Sequence, residues 1–444
     1  MASLPETLAT TAGNQKVLYG TTLVKVLPDA AILQKRFPLD TSGDYPLVGD
    51  YFSALTALQL PWGFSFLGQG TEATATNTTL NQSVAGQTKA ATIYGNTTVL
   101  TDQMSYFVLD RAAKGGSQAV LSALKYTGMQ MAISARQVLE MQVLHGRQGL
   151  GASAGAISTL TVTFDGATTS PGILSLLIGA RVQWMQSNLT SARTVFDTSN
   201  YLTVSSVNVA DPASPTLTMV ATGTTNYAAI TTGDVLFFGG SRGVAVASSD
   251  TNVPHYEQLG LGLQLSATTG TQFGIDKALN PGYVANQTTV SGPMTPSVLM
   301  NAAATVLGRG GQLGKYIAIV GTEAWSALNS SLATQEQFVG SNGQAGSASK
   351  KTGTDEITVK HSGIEIEVIP HPLQKRAQFY LVPEAGIHRI GSTDLTFQVP
   401  GKPDGEYHYP VQGSALIERQ CRADWQMWLE TPPAGMIGTG LTFA

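Results

Sequence analysis

The first stretch whose residue types could do chemistry is Gly308-Arg-Gly-Gly-Gln-Leu-Gly314-Lys315-Tyr316, glycine-rich and containing a Gly-Lys pair. A phosphate-cradling loop needs a glycine five positions before that pair and a Ser or Thr after the lysine to reach magnesium. It also needs a strand before it and a helix after it. Here Arg309 takes the glycine position and Tyr316 follows the lysine. A helical pattern precedes the stretch and a strand pattern follows, the reverse of the required order. It therefore reads as a helix C-cap and turn. Gly151-Ala-Ser153-Ala-Gly155 has the Gly-x-Ser-x-Gly spacing of a nucleophile elbow. Such an elbow leaves a strand and enters a helix, which exposes its serine on a strained turn. This string leaves a helical pattern and enters a strand, so it reads as a small-residue linker.

The remaining reactive side chains form no convergent set. His361, His371 and His388 share a strand-rich region, where His361 and His371 could come face to face, but no HExxH or paired Cys/His spacing accompanies them. Cys421 follows Arg419 and Gln420 inside a strand pattern. It lacks the helix N-terminus or paired histidine that activates a thiol, and is expected to be a small buried hydrophobe. Glu365 and Glu367 fall on one face of a strand, as common on a solvated edge as in an acid/base pair. Lys89 has two readings: a solvated tip residue, or a partner for an acidic group across a subunit boundary. No catalytic, cofactor-binding or metal-ligating residue is assigned, and no enzyme activity is expected.

The chain that must position these residues has 444 of them, enough for roughly three folding units and for a sizeable core without disulfides. Its net charge of −4 excludes a strongly basic protein that wraps nucleic acid, which needs clustered Lys and Arg. One cysteine excludes an intramolecular disulfide framework and multi-cysteine metal sites. The first residues show no basic-then-apolar secretory pattern, and no apolar run of membrane-spanning length occurs. A soluble, reducing compartment, or release by lysis, is the expectation. Charged residues make up 12%, about half the usual ~25%. Two readings follow: a β-rich chain filled with Thr and Val, or a subunit whose surface is mostly covered by copies of itself, because interface cores are depleted of charge.

Residues 1–58 read as an arm, since the short apolar pieces at 17–19, 23–27 and 30–33 are broken by Pro28, Pro38 and Pro46. Such a segment cannot close its own core and is expected to lie on another surface. Residues 59–105 read as a long hairpin. Trp62-Gly-Phe64-Ser-Phe66 alternates as a strand, a threonine-rich stretch follows, and 90–94 with 99–100 supply the returning strand. A lone hairpin of this kind is marginal in water. From Ser117 to Gly146 apolar residues recur at three- and four-residue steps, predicting one long helix, with Gly128 as a candidate bend. Residues 151–290 are β-rich, with spacing that suits a small barrel or sandwich inserted mid-chain. Residues 291–395 alternate between helix and strand, and 396–444 return to alternating strands. No internal repeat is found.

This order of parts resembles the major capsid proteins of tailed bacteriophages, the HK97-type fold, over nearly the whole chain. Three sets of residues carry the resemblance. The first is Gly260-Leu261-Gly-Leu263 with Phe273-Gly-Ile275-Asp276 and Asn280-Pro281-Gly282-Tyr283. The second is Tyr316-Ile-Ala-Ile-Val320-Gly-Thr-Glu-Ala-Trp325-Ser-Ala-Leu328. The third is Glu418-Arg-Gln-Cys-Arg422-Ala-Asp-Trp425-Gln-Met-Trp428.

The resemblance implies an α+β, HK97-like capsid fold. Its parts would be an N-terminal arm (1–58), an E-loop (59–105), a peripheral domain with the spine helix (106–180) and an inserted β-rich domain (181–255). A peripheral-domain return (256–290), an axial domain (291–395) and C-terminal strands and tail (396–444) would follow. It implies a self-assembling subunit of an icosahedral shell around double-stranded DNA, located in the virion capsid and assembled in the host cytoplasm. The implied partners are copies of itself in hexamers and pentamers, a portal protein, scaffolding and decoration proteins, and DNA held by weak non-specific contact. No cofactor and no membrane are implied. Candidate intersubunit contacts are Trp62, Phe64, Phe66, Lys89 and Tyr94. Lys89 lies where some members self-crosslink, but neither the acceptor asparagine nor the catalytic glutamate can be matched, so crosslinking stays open. Two other readings remain: an encapsulin-like shell loaded with enzyme, and a β-rich hydrolase or carbohydrate-binding protein.

Overall fold

The computed structural model describes residues 31–40, 43–61, 64, 82–83, 85–107, 117–155, 160–225, 227, 229–248, 250–335, 357–361, 363–399, 409–411 and 413–443, with backbone alone at 117–127, 333–335 and 409. In chain order the described elements begin with α1 (Ile32–Arg36), β1 (Leu47–Val48), β2 (Tyr51–Gln59), β3 (Gln87–Ile93), β4 (Asn96–Ser105) and α2 (Ser117–His145). Next come β5 (Gly151–Ala152), β6 (Thr161–Thr163), α3 (Pro171–Leu176), β7 (Arg181–Met185), β8 (Tyr201–Asn208), β9 (Thr216–Thr222) and β10 (Val235–Phe238). After them follow α4 (Leu261–Ser266), β11 (Thr271–Gln272), β12 (Ile275–Asp276), β13 (Asn286–Gly292), α5 (Pro296–Gly308), β14 (Gly314–Val320) and α6 (Thr322–Gln335). The last are β15 (Ile357–His361), β16 (Ile364–Pro370), β17 (Gln378–Pro383), β18 (Ile387–Thr396), β19 (Tyr409–Pro410), β20 (Leu416–Leu429) and β21 (Met436–Leu441).

A mixed six-stranded sheet, ordered β13-β21-β17-β14-β16-β15, is the most buried. β14 runs parallel to β16 and antiparallel to β17. Central strands covered on both faces read as continuous apolar runs, and Tyr316-Ile-Ala-Ile-Val320 is such a run. Its alternation divides two cores. Tyr316, Ala318 and Val320 face α5 and α6 beside Leu299, Ala303, Val306, Ala324 and Leu328. Ile317 and Ile319 face the other side, with Tyr380, Val382 and the end of α2. Helix α5 starts at Pro296, where proline's missing N–H and fixed φ suit a first turn.

The second six-stranded sheet is ordered β5-β10-β7-β8-β9-β6, and an antiparallel bridge from Ser153 to Phe164 joins its two ends into a barrel. Trp184, Phe164, Leu202, Leu217, Met219 and Leu236 are buried in it, and the Phe164 and Trp184 rings stack at 5.6 Å. The barrel takes its first strands from residues 151–163, upstream of the expected start at 181. The second of these strands lies in the alternating run Leu160, Val162 and Phe164, legible as a strand, while the Gly-Ala strand has no apolar alternation; the pairing of both is long-range.

Helix α2 runs unbroken across Gly128. A Cβ at that glycine would meet the Arg419 guanidinium, so the residue marks a close approach of a β20 side chain. Further along, Met131 and Ala135 pack on Cys421, and β4 pairs with β20 over ten residues from Asn96↔Trp425 to Ser105↔Leu416. This places 99–100 in β20's sheet and not in the hairpin. The hairpin itself is β2 with β3, and its outgoing strand begins at Tyr51, inside the segment expected to be arm.

The expectation that the arm lies wholly on another surface fails for residues 31–40. Leu33 and Phe37 are buried in the main core, Leu39 bridges Arg389 of β18, and Asp40 N–H donates to Arg389 O at 2.8 Å. The sequence shows the prolines, but not the pocket that receives Leu33 and Phe37.

Candidate assembly surface

The hairpin has two unlike faces. On the inner face Ala54, Ala91 and Ile93 are buried against Ile275, Tyr283, Ile390 and Trp428. Directly paired residues share a face in an antiparallel ladder, so Phe52↔Ile93, Ala54↔Ala91 and Thr56↔Lys89 lie inward. Lys89, the outermost of these, is exposed beyond the end of that core. The outer face carries Leu55 opposite Ala90 and, at its base, the Tyr51 and Tyr94 rings with centroids 5.7 Å apart. Leu55 is 79% exposed, Phe64 65% and Tyr94 52%. Burying a large apolar side chain contributes about 1.5–3 kcal/mol, which exposed Leu55 does not gain within this chain. Trp62 and Phe66 lie outside the described residues.

Residues 31–40 are held on the body by polar contacts to α2, β16 and β18. Glu140, fully buried, accepts the Leu33 N–H at 2.6 Å, the Gln34 N–H at 3.3 Å and His371 Nε2 at 3.0 Å. The Leu373 N–H donates to His371 Nδ1 at 3.1 Å. An amide can only donate, so Nδ1 is unprotonated and Nε2 carries the proton given to Glu140. The neighbouring His145 follows the same logic. Its Nε2 meets Leu373 O at 2.9 Å and its Nδ1 meets the Tyr380 hydroxyl at 3.2 Å, and burial holds its pKa well below the usual range. Beside them Lys375 is buried, which pushes its amine down to about 8. Arg36 reaches across to the mixed sheet, bidentate on Glu367 at 2.6 and 2.7 Å and also on Glu384. The Arg36 guanidinium holds the Glu367 carboxyl below its ordinary range. No sequence signal joins these residues, which are a hundred to several hundred positions apart.

The other reactive side chains do not converge. Ser153 is buried and donates its hydroxyl to Thr231 O at 2.5 Å. Burial pushes the Cys421 thiol up to about 11. His361 and His371 do not meet, because His361 pairs with Ile364 at one end of the β15–β16 hairpin while His371 follows the other end. Glu365 faces Lys360 at 3.7 Å, away from the Arg36 contact of Glu367. His388 stands between Asp40 and Glu430. Among the described residues no three His, Cys, Asp or Glu gather as a metal site, and no helix is long and apolar enough to cross a membrane.

No protein-family model matches the sequence, and no curated protein matches it. Solved structures do show likeness. A chain of the cyanophage A-1(L) capsid asymmetric unit aligns over 97% of this chain and 97% of its own, with 9% identity and a TM-score of 0.51. A chain of Mycobacterium phage Bobi aligns over 99% of each, with 11% identity and a TM-score of 0.41. The SrpI encapsulin of Synechococcus elongatus covers 36% of this chain and 56% of its own, with 12% identity and a TM-score of 0.23. The last two scores are too low to carry an argument. The first shows that this chain has the α+β fold of that capsid chain.

Proposed function

We propose that the chain is a major capsid protein: a structural, non-enzymatic subunit of the HK97 type that assembles into the icosahedral shell of a tailed phage. The observation that carries this reading is the full-length likeness, 97% of each chain, to a phage capsid chain. A shared fold does not fix function by itself. The second support is physical: a hairpin whose outer face exposes Leu55 on a charge-poor chain, the arrangement an assembling subunit requires.

In this reading β2–β3 and the tip between them form the E-loop, α2 is the spine of the peripheral domain, and the mixed sheet with α5 and α6 is the axial domain at the capsomer centre. The barrel is the inserted domain. Trp62, Phe64, Phe66, Lys89 and Tyr94 lie at contacts between copies. Head-to-tail contacts between such subunits close into the rings of hexamers and pentamers. A portal, scaffolding and decoration proteins, and weakly held double-stranded DNA complete the partners of a virion shell assembled in the host cytoplasm. Negative-stain electron microscopy of the purified full chain tests this. Closed shells or capsomers are expected, and a monodisperse monomer at high concentration overturns it. Replacing residues 65–81 by a short Gly-Ser linker should leave soluble capsomers or aberrant particles.

A further inference from the structure

The barrel carries a second, smaller core. Met185, Val235 and Phe237 lie in it with Ala192, Ala245 and Val253, beside a ribbon in which Arg242 pairs with His255. The bonds flanking that pair run from the Gly243 N–H to Pro254 O and from the Tyr256 N–H to Ser241 O. Residues 242 and 255 are therefore a non-hydrogen-bonded pair, the kind whose side chains stand closer. Both reach the Phe237 ring: Arg242 Cζ lies 5.5 Å from its centroid and the His255 ring 6.4 Å. Arg242 is fully buried. Its Nη2 donates to Leu189 O, but its Nε and Nη1 are buried without a partner, and so is His255 Nδ1. Gln183 Oε1, opposite Phe237 in the ladder, is likewise unpaired, and it is neutral.

Among the described residues no carboxylate forms an ion pair with Arg242. Glu257 acts on it only from farther off, and Glu257 Oε2 takes the Arg147 N–H at 2.8 Å. Burial pushes the Arg242 guanidinium down to about 10, against the pull of Glu257 and with a further push from Arg147. It still carries its charge at neutral pH. Arg147 and Arg242 set against Glu257 leave one positive charge unmatched, and an unpaired ion in the interior is costly. We propose that Arg242, with His255 beside it, binds one small monovalent anion of the halide class within this layer of the barrel. A water pairs orphaned N–H groups but leaves the charge. An acidic side chain of another molecule does not reach a guanidinium with no exposed surface. A divalent oxyanion brings more charge than is unmatched. His255 Nδ1 joins as a further donor in the tautomer that places the proton there. The anion thereby holds the ribbon, and through Leu189 O the turn after β7, against the barrel.

Crystals of the full chain grown in sodium bromide and measured at the bromine absorption edge test the site. An anomalous peak within hydrogen-bond distance of Arg242 Nε or Nη1 is expected. An ordered water without anomalous signal, or no density there, overturns the proposal. In solution, denaturant unfolding of the full chain is compared in sodium chloride and sodium gluconate at equal ionic strength. A ligand bound by the folded chain alone multiplies the folding constant by one plus the ratio of its concentration to Kd, so above Kd each tenfold rise in chloride should raise that constant about tenfold. Gluconate, too bulky for a buried site, should not. An equal response to both salts overturns the proposal. A bromide peak without chloride dependence in solution is binding at crystal concentration only, and overturns it as well. Arg242→Met keeps the apolar stem without the charge and should abolish the chloride dependence; a variant that retains it overturns the proposal. Should that variant not fold, the bromide peak and the salt comparison of the unsubstituted chain decide. The site lies within one chain, so it and the capsid reading stand or fall separately.

Discussion

Replacing Glu140 by alanine should free residues 31–40 from the body without unfolding the mixed sheet. The carboxylate is wholly buried and accepts three donors, two of them at 2.6 and 3.0 Å. A hydrogen bond to a charged acceptor contributes about 1.5–3 kcal/mol. The Gln34 bond, longer at 3.3 Å and partly exposed, adds little. Loss of the two short bonds therefore costs about 3–5 kcal/mol, the range seen when one partner of a buried pair is removed. The assay is amide hydrogen exchange at Leu33 through Phe37. At 1.4 kcal/mol per factor of ten, exchange there should quicken about 100- to 3,000-fold, while amides of β14 keep their protection. Glu140→Gln should fall between. Its Oε1 can still accept from both Leu33 and His371, which share one carboxylate oxygen, but its amide nitrogen then stands against the Gln34 N–H, donor against donor. An Ala variant whose exchange at Leu33 changes less than tenfold would refute the view that this carboxylate anchors the arm.

Four further outcomes follow from the geometry. Burial pushes Lys277 and Lys375 down to about 8, while the unfolded amine titrates near 10.4. Between pH 8 and 10 the unfolded chain thus binds more protons, so the melting temperature should rise with pH across that window, and Lys375→Met should flatten the rise. A Cβ at Gly438 would strike the ring of the buried Phe379, so Gly438→Ala should lower stability by about 1–3 kcal/mol in denaturant titration. Arg36→Ala removes contacts that are about a third exposed; a loss near 1 kcal/mol is expected. Leu55→Ser should change the stability of the lone chain by no more than about 0.5 kcal/mol, yet raise the concentration needed for particles about tenfold or more in a light-scattering titration.

How far the sequence reveals this molecule depends on where each element gets its stability. Helix α2 announces itself because Leu139, Val143 and Leu144 recur on one face, and Tyr316 to Val320 announces a buried strand because the run is apolar throughout. Both signals are local. The hairpin is legible as a threonine-rich excursion, but its boundary is not. Its first strand, Tyr51 to Gln59, draws its burial from Ile275 and Trp428, more than two hundred residues away. The barrel's Gly151–Ala152 strand is invisible for the same reason, and the alternating run at 159–164 shows a strand but not its partner. The polar anchor of the arm left no trace at all, because Glu140, His371 and Leu33 share no spacing that a window along the chain can sample. Lys89 could be placed on the hairpin from sequence, and it stands exposed on β3, where both of its readings, solvated tip and contact between copies, place it.

The scarcity of charge has two physical origins in different parts of the chain. On the barrel, exposed positions of β8 and β9 are Ser205, Ser206, Asn208 and Val220, flanked by partly exposed Thr203 and Thr222, the ordinary way to solvate a strand that must also keep β propensity. There the low charge says nothing about partners. On β2 and β4 and just beyond them the exposed groups include Leu55, Leu60, Val99, Tyr106 and Phe107. A free surface gains nothing from them, since each keeps apolar area in water that burial would make favourable. The same average composition thus covers strand surfaces of different chemistry. Substituting the two sets separately tells them apart. Charges placed at Ser205, Ser206 and Val220 should leave particle yield intact, whereas charges placed at Leu55, Val99 and Phe107 should abolish it while circular dichroism stays unchanged. Equal loss from both sets would mean that the distinction drawn from their side chains is wrong.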